Sequence, residues 1–133
     1  MSDSRLDGAR ILVLEDEFLI AMDVEQLCRD HGAAEVSVLR RVEEAEAGQF
    51  ETRRFDVAIV DLMLGGSSSL PLASKLRDHG VPLVFASGYP GLDQELSAFP
   101  GVQILAKPYL SGDLVSAVAQ AMRPTATVPS DRD

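Results

Sequence analysis

Five short apolar runs recur along the chain at an even spacing: Ile11–Leu14 (ILVL), Glu35–Leu39 (EVSVL), Asp56–Val60 (DVAIV), Pro82–Ala86 (PLVFA) and Val102–Ala106 (VQILA). Each has the length of a β-strand. The first residues beyond them are 15, 40, 61, 87 and 107, so the runs end 25, 21, 26 and 20 residues apart. Segments with helical spacing fill the intervals. In Phe18–Asp30, Leu19, Ala21, Met22, Val24, Leu27 and Cys28 predict a broad apolar face, and Gly32 supplies a stop. VEEAEAGQF (42–50) is a weaker second helix, and LPLASKLRDHG (70–80) a third that ends at Gly80. GLDQELSAF (91–99) is a short fourth, closed by Pro100. SGDLVSAVAQAM (111–122) is a fifth, with Ser111 as N-cap and a stripe of Leu114, Val118 and Met122.

Strands alternating with helices predict an α/β domain. The first, third and fourth runs are apolar throughout, the pattern of parallel strands covered on both faces. Right-handed crossovers leave few topologies open, and a doubly wound, five-stranded parallel (βα)5 sheet in the order 2-1-3-4-5 is expected. In such sheets ligands sit outside the carboxyl ends of the strands where the order reverses, here between strands 1 and 3. The expected domain covers residues 10–122, after a flexible polar N-terminus, 1–9, and before a disordered tail, 123–133.

Composition narrows the function. A net charge of -9 leaves no basic surface for nucleic acid. Cys28 is the only cysteine, which excludes an internal disulfide and leaves no Cys/His zinc cluster. The N-terminal MSDSRLDGAR has no apolar h-region, and no apolar run has the length of a membrane span. A cytoplasmic protein is expected, bound neither to membrane nor to nucleic acid.

Chemistry gathers at the strand ends. Glu15 and Asp16 follow strand 1, Asp61 follows strand 3, Ser87 follows strand 4 and Lys107 follows strand 5. Asp61 stands between VAIV and LML, where a carboxylate is hard to keep ionised. Three acids and one lysine leave a charge of -2 at the rim. Unit charges ~4 Å apart repel by about 4 kcal/mol at an effective dielectric near 20. A divalent cation balances that residue, and hard oxygen donors suit Mg2+.

LVLEDE (12–17), IVDLML (59–64), FASGY (85–89) and LAKPY (105–109), in order and at this spacing, resemble the receiver domain of bacterial two-component response regulators. The resemblance covers roughly Arg10 to Met122 and implies a flavodoxin-like fold. It implies that Asp61 takes the phosphoryl group of a phosphohistidine on a sensor histidine kinase or phosphotransfer protein. Asp16 and Asp61 would hold Mg2+ through side chains, Met63 through its backbone carbonyl and Glu15 through water. Ser87, Gly88 and Lys107 would bind the phosphoryl oxygens. The Lys107–Pro108 bond would be cis, which costs an X–Pro bond only about 0.5–1 kcal/mol.

VPLVFASGY and DLMLGG are closer to the FATGUY subclass of receivers. Ser87 stands for that motif's threonine and Met63 for its usual asparagine. A backbone ligand tolerates Met63, and serine keeps the hydroxyl. Ile104 occupies the place of the usual switch aromatic, and Tyr89 is the aromatic nearby. Signal transmission is therefore expected through the segment from Gly88 to Phe99, whose SGYPG suits movement. The face made by the fourth helix, fifth strand and fifth helix, Leu92 to Met122, is the expected contact for a downstream protein. HWE-related kinases and general stress signalling are implied by the subclass. A stand-alone phosphoacceptor signalling protein, rather than an enzyme, is expected.

Taken singly, these residues have plain roles. Glu15, Asp16 and Glu17 suit a helix entry, and Asp61 a strand-end cap. His31 and His79 suit exposed helix ends. Two other functions compete. A Mg2+-dependent phosphohydrolase of the haloacid-dehalogenase type needs a second acid two residues after the nucleophile, where Met63 stands. A phosphorylation-independent interaction domain would leave the acceptor set without purpose. Met63 and Tyr89, two residues beyond Asp61 and Ser87, cannot hold a water in line for attack as an amide or acid does. Slow self-dephosphorylation is expected, with phosphate release after brief acetyl-phosphate loading lasting well beyond seconds.

Overall fold

The computed structural model describes residues 5–46, 55–88, 99, 101–107 and 109–122. Five strands, β1 (Arg10–Leu14), β2 (Glu35–Leu39), β3 (Val57–Asp61), β4 (Leu83–Ser87) and β5 (Gln103–Ala106), form one sheet in the order β2-β1-β3-β4-β5. All its pairings are parallel. The expected doubly wound topology is observed, with β2 matching its apolar run and the other strands offset by a residue at one or both ends.

The register aligns the carboxyl ends. Leu14 lies opposite Val60, Asp61 opposite Ala86, and Ser87 opposite Ala106. The residues that follow therefore reach a common rim.

Side-chain alternation divides each apolar strand between two cores. Ile11, Val13, Val57, Ile59 and Val84 pack with Val24 and Cys28 of α1 (Phe18–Asp30). Leu114, Val115, Ala117 and Val118 of the C-terminal helix (Ser111–Met122) complete that layer. Leu12, Leu14, Ala58, Val60, Leu83 and Phe85 pack instead with Leu72, Ala73 and Leu76 of a helix at Leu70–Asp78. Phe99 closes that side, its ring edge-on to Phe85 with centroids 5.1 Å apart. A five-residue helix, α2, spans Val42–Glu46; the two later helices are then α3 (Leu70–Asp78) and α4 (Ser111–Met122). No described helix is long and apolar enough to cross a membrane.

Three details refine the reading of the sequence. The apolar face of α1 is narrower than expected: Ala21, Val24 and Cys28 are buried, whereas Leu19 is 74% and Met22 50% exposed. At 3.6 residues per turn, Leu19 falls on the far side of the helix from Ala21. Within residues 5–9, expected as part of a flexible terminus, Leu6 and Ala9 are buried while Arg5, Asp7 and Gly8 are exposed. Leu6 is fully buried between α1 and α4, its N–H donating to the His31 carbonyl at 3.0 Å. Gly32, at φ +102°, permits this crossing, because a Cβ there would meet the Asp7 Cα at 2.9 Å. Finally, the stretch after β3 forms a small hairpin, Met63–Leu64 against Ser67–Ser68. Gly65 and Gly66 turn it with φ of 60° and 85°, a conformation glycine adopts without strain.

His31 and His79 cap α1 and α3, each with its Nδ1 at the carbonyl four residues earlier. Residues 91–98 of the fourth helix expected from sequence, the tail 123–133, Tyr89 and Pro108 lie outside the described residues.

Leu6→Ala should cost about 2–5 kcal/mol, as a large-to-small change in a filled core does. A lower urea midpoint at unchanged m-value is the expected result.

Candidate functional site

Alternation also explains why charged side chains meet beyond the strands. Glu15 continues the parity of Ile11 and Val13, and Asp61 that of Val57 and Ile59. Lys107 continues the parity of Leu105, which packs in the same layer. All three therefore lean toward the α1 and α4 side. Glu15 is 2% and Asp61 7% exposed.

Lys107 joins them. Its Nζ lies 2.8 Å from Asp61 Oδ2 and 2.9 Å from Glu15 Oε1. Its backbone N–H donates to the Ser87 carbonyl at 2.8 Å, fixing the base of the side chain to β4. Glu15 Oε2 also accepts the Glu17 N–H at 3.2 Å, and Asp61 Oδ1 accepts the Met63 N–H at 3.3 Å. Each buried carboxylate thus has a cation and a backbone donor, which is what keeps such a group in the interior.

The electrostatics follow. Burial acts most strongly on Glu15 and raises its pKa, with Asp61's charge adding to the rise against the Lys107 and Glu17 hydrogen bonds. Burial works against the Lys107 ammonium, but the hydrogen bonds to Asp61 and Glu15 outweigh it and its pKa is raised. Lys107 is therefore the fixed charge of the site. Tyr109, beside it, is pushed up to about 12 by burial and by Glu15's charge.

Asp16 approaches from the other side and is half-buried. Its Oδ2 accepts the Gly65 N–H at 3.1 Å, tying it to the hairpin turn. Glu15, Asp16 and Asp61 each present a carboxylate oxygen within 4.8 Å of the others, the metal-competent cluster among the described residues. A cleft of about 330 Å³ opens over it, lined by Asp16, Glu17, Asp61, Met63, Gly66, Gly88 and Lys107. Ser87, buried at the end of β4, neighbours Asp61 through the Asp61–Ala86 register. Ile104 is half exposed on β5.

Two contributors were not read from the sequence. Ser69 is fully buried, and its hydroxyl donates to the Asp61 carbonyl at 2.6 Å. Its place in SSSLP reads as a helix N-cap, which hides that contact. Arg40 flanks the mouth: its Nη2 donates to the Asp16 carbonyl at 3.4 Å, and its guanidinium lies 5.5 Å from the centroid of Phe18's ring.

A doubly wound sheet with an aspartate-centred anionic cleft at its carboxyl edge defines the class. The family model of the response regulator receiver domain matches residues 11–119. The phyllosphere-induced regulator PhyR of Methylorubrum extorquens is 32% identical over 117 residues, 86% of this chain and 44% of that protein. SdrG of Sphingomonas melonis Fr1 has a solution structure 33% identical, with a TM-score of 0.71 over 90% of this chain and 99% of that one. The crystal structure of PhyR from Brucella abortus gives 31% identity and a TM-score of 0.71, covering 90% and 49%. The chain spans about half the length of the curated relatives it matches. This protein belongs to the response regulator receiver domain family.

Replacing Lys107 with Met leaves two buried acids facing each other. The loss at pH 7 should be about 3 kcal/mol, the lower part of the range for breaking a buried pair, since Lys107 keeps 13% exposure. Protonation of Glu15, whose pKa burial raises, relieves the repulsion as the pH falls, so the deficit relative to wild type should shrink toward pH 4. Thermal denaturation across that range checks both.

Proposed function

We propose that this receiver accepts a phosphoryl group on Asp61 from a phosphohistidine, with Mg2+, and passes the state on by a changed affinity for a protein partner. The single observation that carries the reading is Asp61 itself: a carboxylate 7% exposed, oriented by Lys107 and the Met63 N–H, and lining an open cleft with Asp16.

In this reading, transfer breaks the phosphorus–nitrogen bond of the donor and forms a phosphorus–oxygen bond to Asp61, giving an acyl phosphate. Phosphoryl transfer needs placement and neutralisation of the equatorial oxygens more than proton transfer. Lys107 would supply one fixed positive charge there, and the Ser87 hydroxyl and the backbone at Gly88 hydrogen bonds. Asp16 and Asp61 with the Met63 carbonyl would hold Mg2+, with Glu15 acting through water. That ion would balance the phosphoryl charge when bound. The all-oxygen donor set of Glu15, Asp16 and Asp61 fits a hard cation.

The donor is a protein here, either a sensor histidine kinase or a phosphotransfer protein. Exposed Phe18, Leu19 and Met22 on α1 offer apolar area beside the cleft, where Glu17 reaches its wall. We further propose that the output runs through residues 88–99 and the face from Leu92 to Met122, with Tyr89 and Ile104 in place of the usual switch ring. The FATGUY assignment, a cytoplasmic setting and a cis Lys107–Pro108 bond belong to the same proposal.

Incubation with acetyl phosphate and Mg2+ should add one phosphoryl mass that hydroxylamine removes. Asp61→Asn or excess EDTA should each reduce incorporation at least a hundredfold. Undiminished labelling of Asp61→Asn would place the acceptor elsewhere.

A further inference from the structure

Ser69 occupies the N-cap of α3, where a serine hydroxyl ordinarily accepts a backbone N–H from the helix's first turn. It makes no such bond. The neighbouring Ser68 hydroxyl takes the Leu70 N–H instead, at 3.2 Å. Ser69 turns its hydroxyl back to the Asp61 carbonyl at 2.6 Å, inside a site with no solvent exposure.

That bond completes a clamp. The β1–β3 ladder ends at the Leu14–Val60 pair, so the backbone beyond it takes partners from elsewhere. The peptide unit between Asp61 and Leu62 is held at both edges. Its carbonyl accepts from Ser69 Oγ, and its N–H donates to the Ala86 carbonyl at 3.0 Å. A peptide unit is planar, so fixing both edges fixes the dihedral angles on either side of it. The Ser69 N–H also donates to the Leu62 carbonyl at 3.0 Å, closing the hairpin at its base. Met63, whose N–H meets Asp61 Oδ1, and Gly65, whose N–H meets Asp16 Oδ2, are carried in that hairpin.

We propose that Ser69 is a positioning residue of the phosphoacceptor: its hydroxyl, diverted from helix capping, locks the Asp61–Leu62 peptide and thereby aims the Asp61 carboxylate at Lys107 and the cleft. The inference rests on the assignment of Asp61 as acceptor. Removing the hydroxyl leaves a buried carbonyl without its donor and frees the aspartate's backbone to rotate. Catalytic geometry tolerates little of that, since small misplacements away from the reacting atoms lower rates steeply.

The test compares wild type, Ser69→Ala, Ser69→Thr and Val118→Ala, the last a destabilised control remote from the cleft. Acetyl phosphate is varied at saturating Mg2+, and amide exchange is followed in the metal-free proteins. Ser69→Ala should lose at least tenfold in saturating rate with little change in the half-saturating concentration. It should also exchange the Leu62 and Met63 amides at least tenfold faster. Ser69→Thr, which keeps the hydroxyl, should recover most of the rate, and Val118→Ala should keep it. A Ser69→Ala rate equal to wild type, or no lower than that of Val118→Ala, overturns the role. If Ser69→Thr cannot pack, amide exchange in Ser69→Ala decides alone: unchanged protection at Leu62 and Met63 refutes the clamp. Failure of wild type to take phosphate refutes the acceptor reading instead, and the exchange result still judges the clamp.

Discussion

The ammonium of Lys107, shared between Asp61 and Glu15, is the interaction around which this receiver is organised. Without it, a doubly wound sheet would have to bury two carboxylates at one edge against both desolvation and mutual repulsion. Its distances of 2.8 and 2.9 Å join the ends of β1, β3 and β5, three strands spread over the chain. The pair is a means of holding two carboxylates in a nearly closed place more than a source of net stability. Asp16 then needs only one backbone donor, because it is the more exposed member of the group.

A graded arrangement results. Glu15 is deepest and burial raises its pKa, Asp61 lies at the wall, and Asp16 sits at the mouth. From the cleft mouth inward the three carboxylates therefore follow in the order Asp16, Asp61, Glu15. The backbone N–H groups of Glu17, Met63 and Gly65 hold the three carboxylates apart at defined angles. The hairpin of residues 63–68, with its two left-handed glycines, brings two of those donors to the cleft.

Much of this was legible in the residues. The strand runs ended at Glu15, Asp61, Ser87 and Lys107 because parallel strands of equal length share an edge, and the register places those residues together. Coverage of the sheet on both faces followed from runs that are apolar throughout. What escaped detection depended on contacts distant in sequence. Leu6 is one apolar residue in a polar stretch, and only the approach of Asp7 to Gly32 shows that it is enclosed. Leu19 and Met22 have the spacing of a helix face, yet the sheet covers only the narrower stripe of Ala21, Val24 and Cys28. Ser69 has the address of a helix cap, and its use of the hydroxyl on the preceding strand depends on how the hairpin folds back.

Parity carries a cost in evolutionary freedom. Glu15, Asp61 and Lys107 lean to one side of the sheet because each sits an even number of positions from those residues of its own strand that face α1 and α4. Loops such as that between β2 and α2 can lengthen without disturbing this. A single residue gained or lost inside Val57–Asp61, however, exchanges the carboxylate for an apolar neighbour and turns it into the opposite core. The fold therefore accommodates a change in loop length far more readily than a change in the number of residues within a central strand.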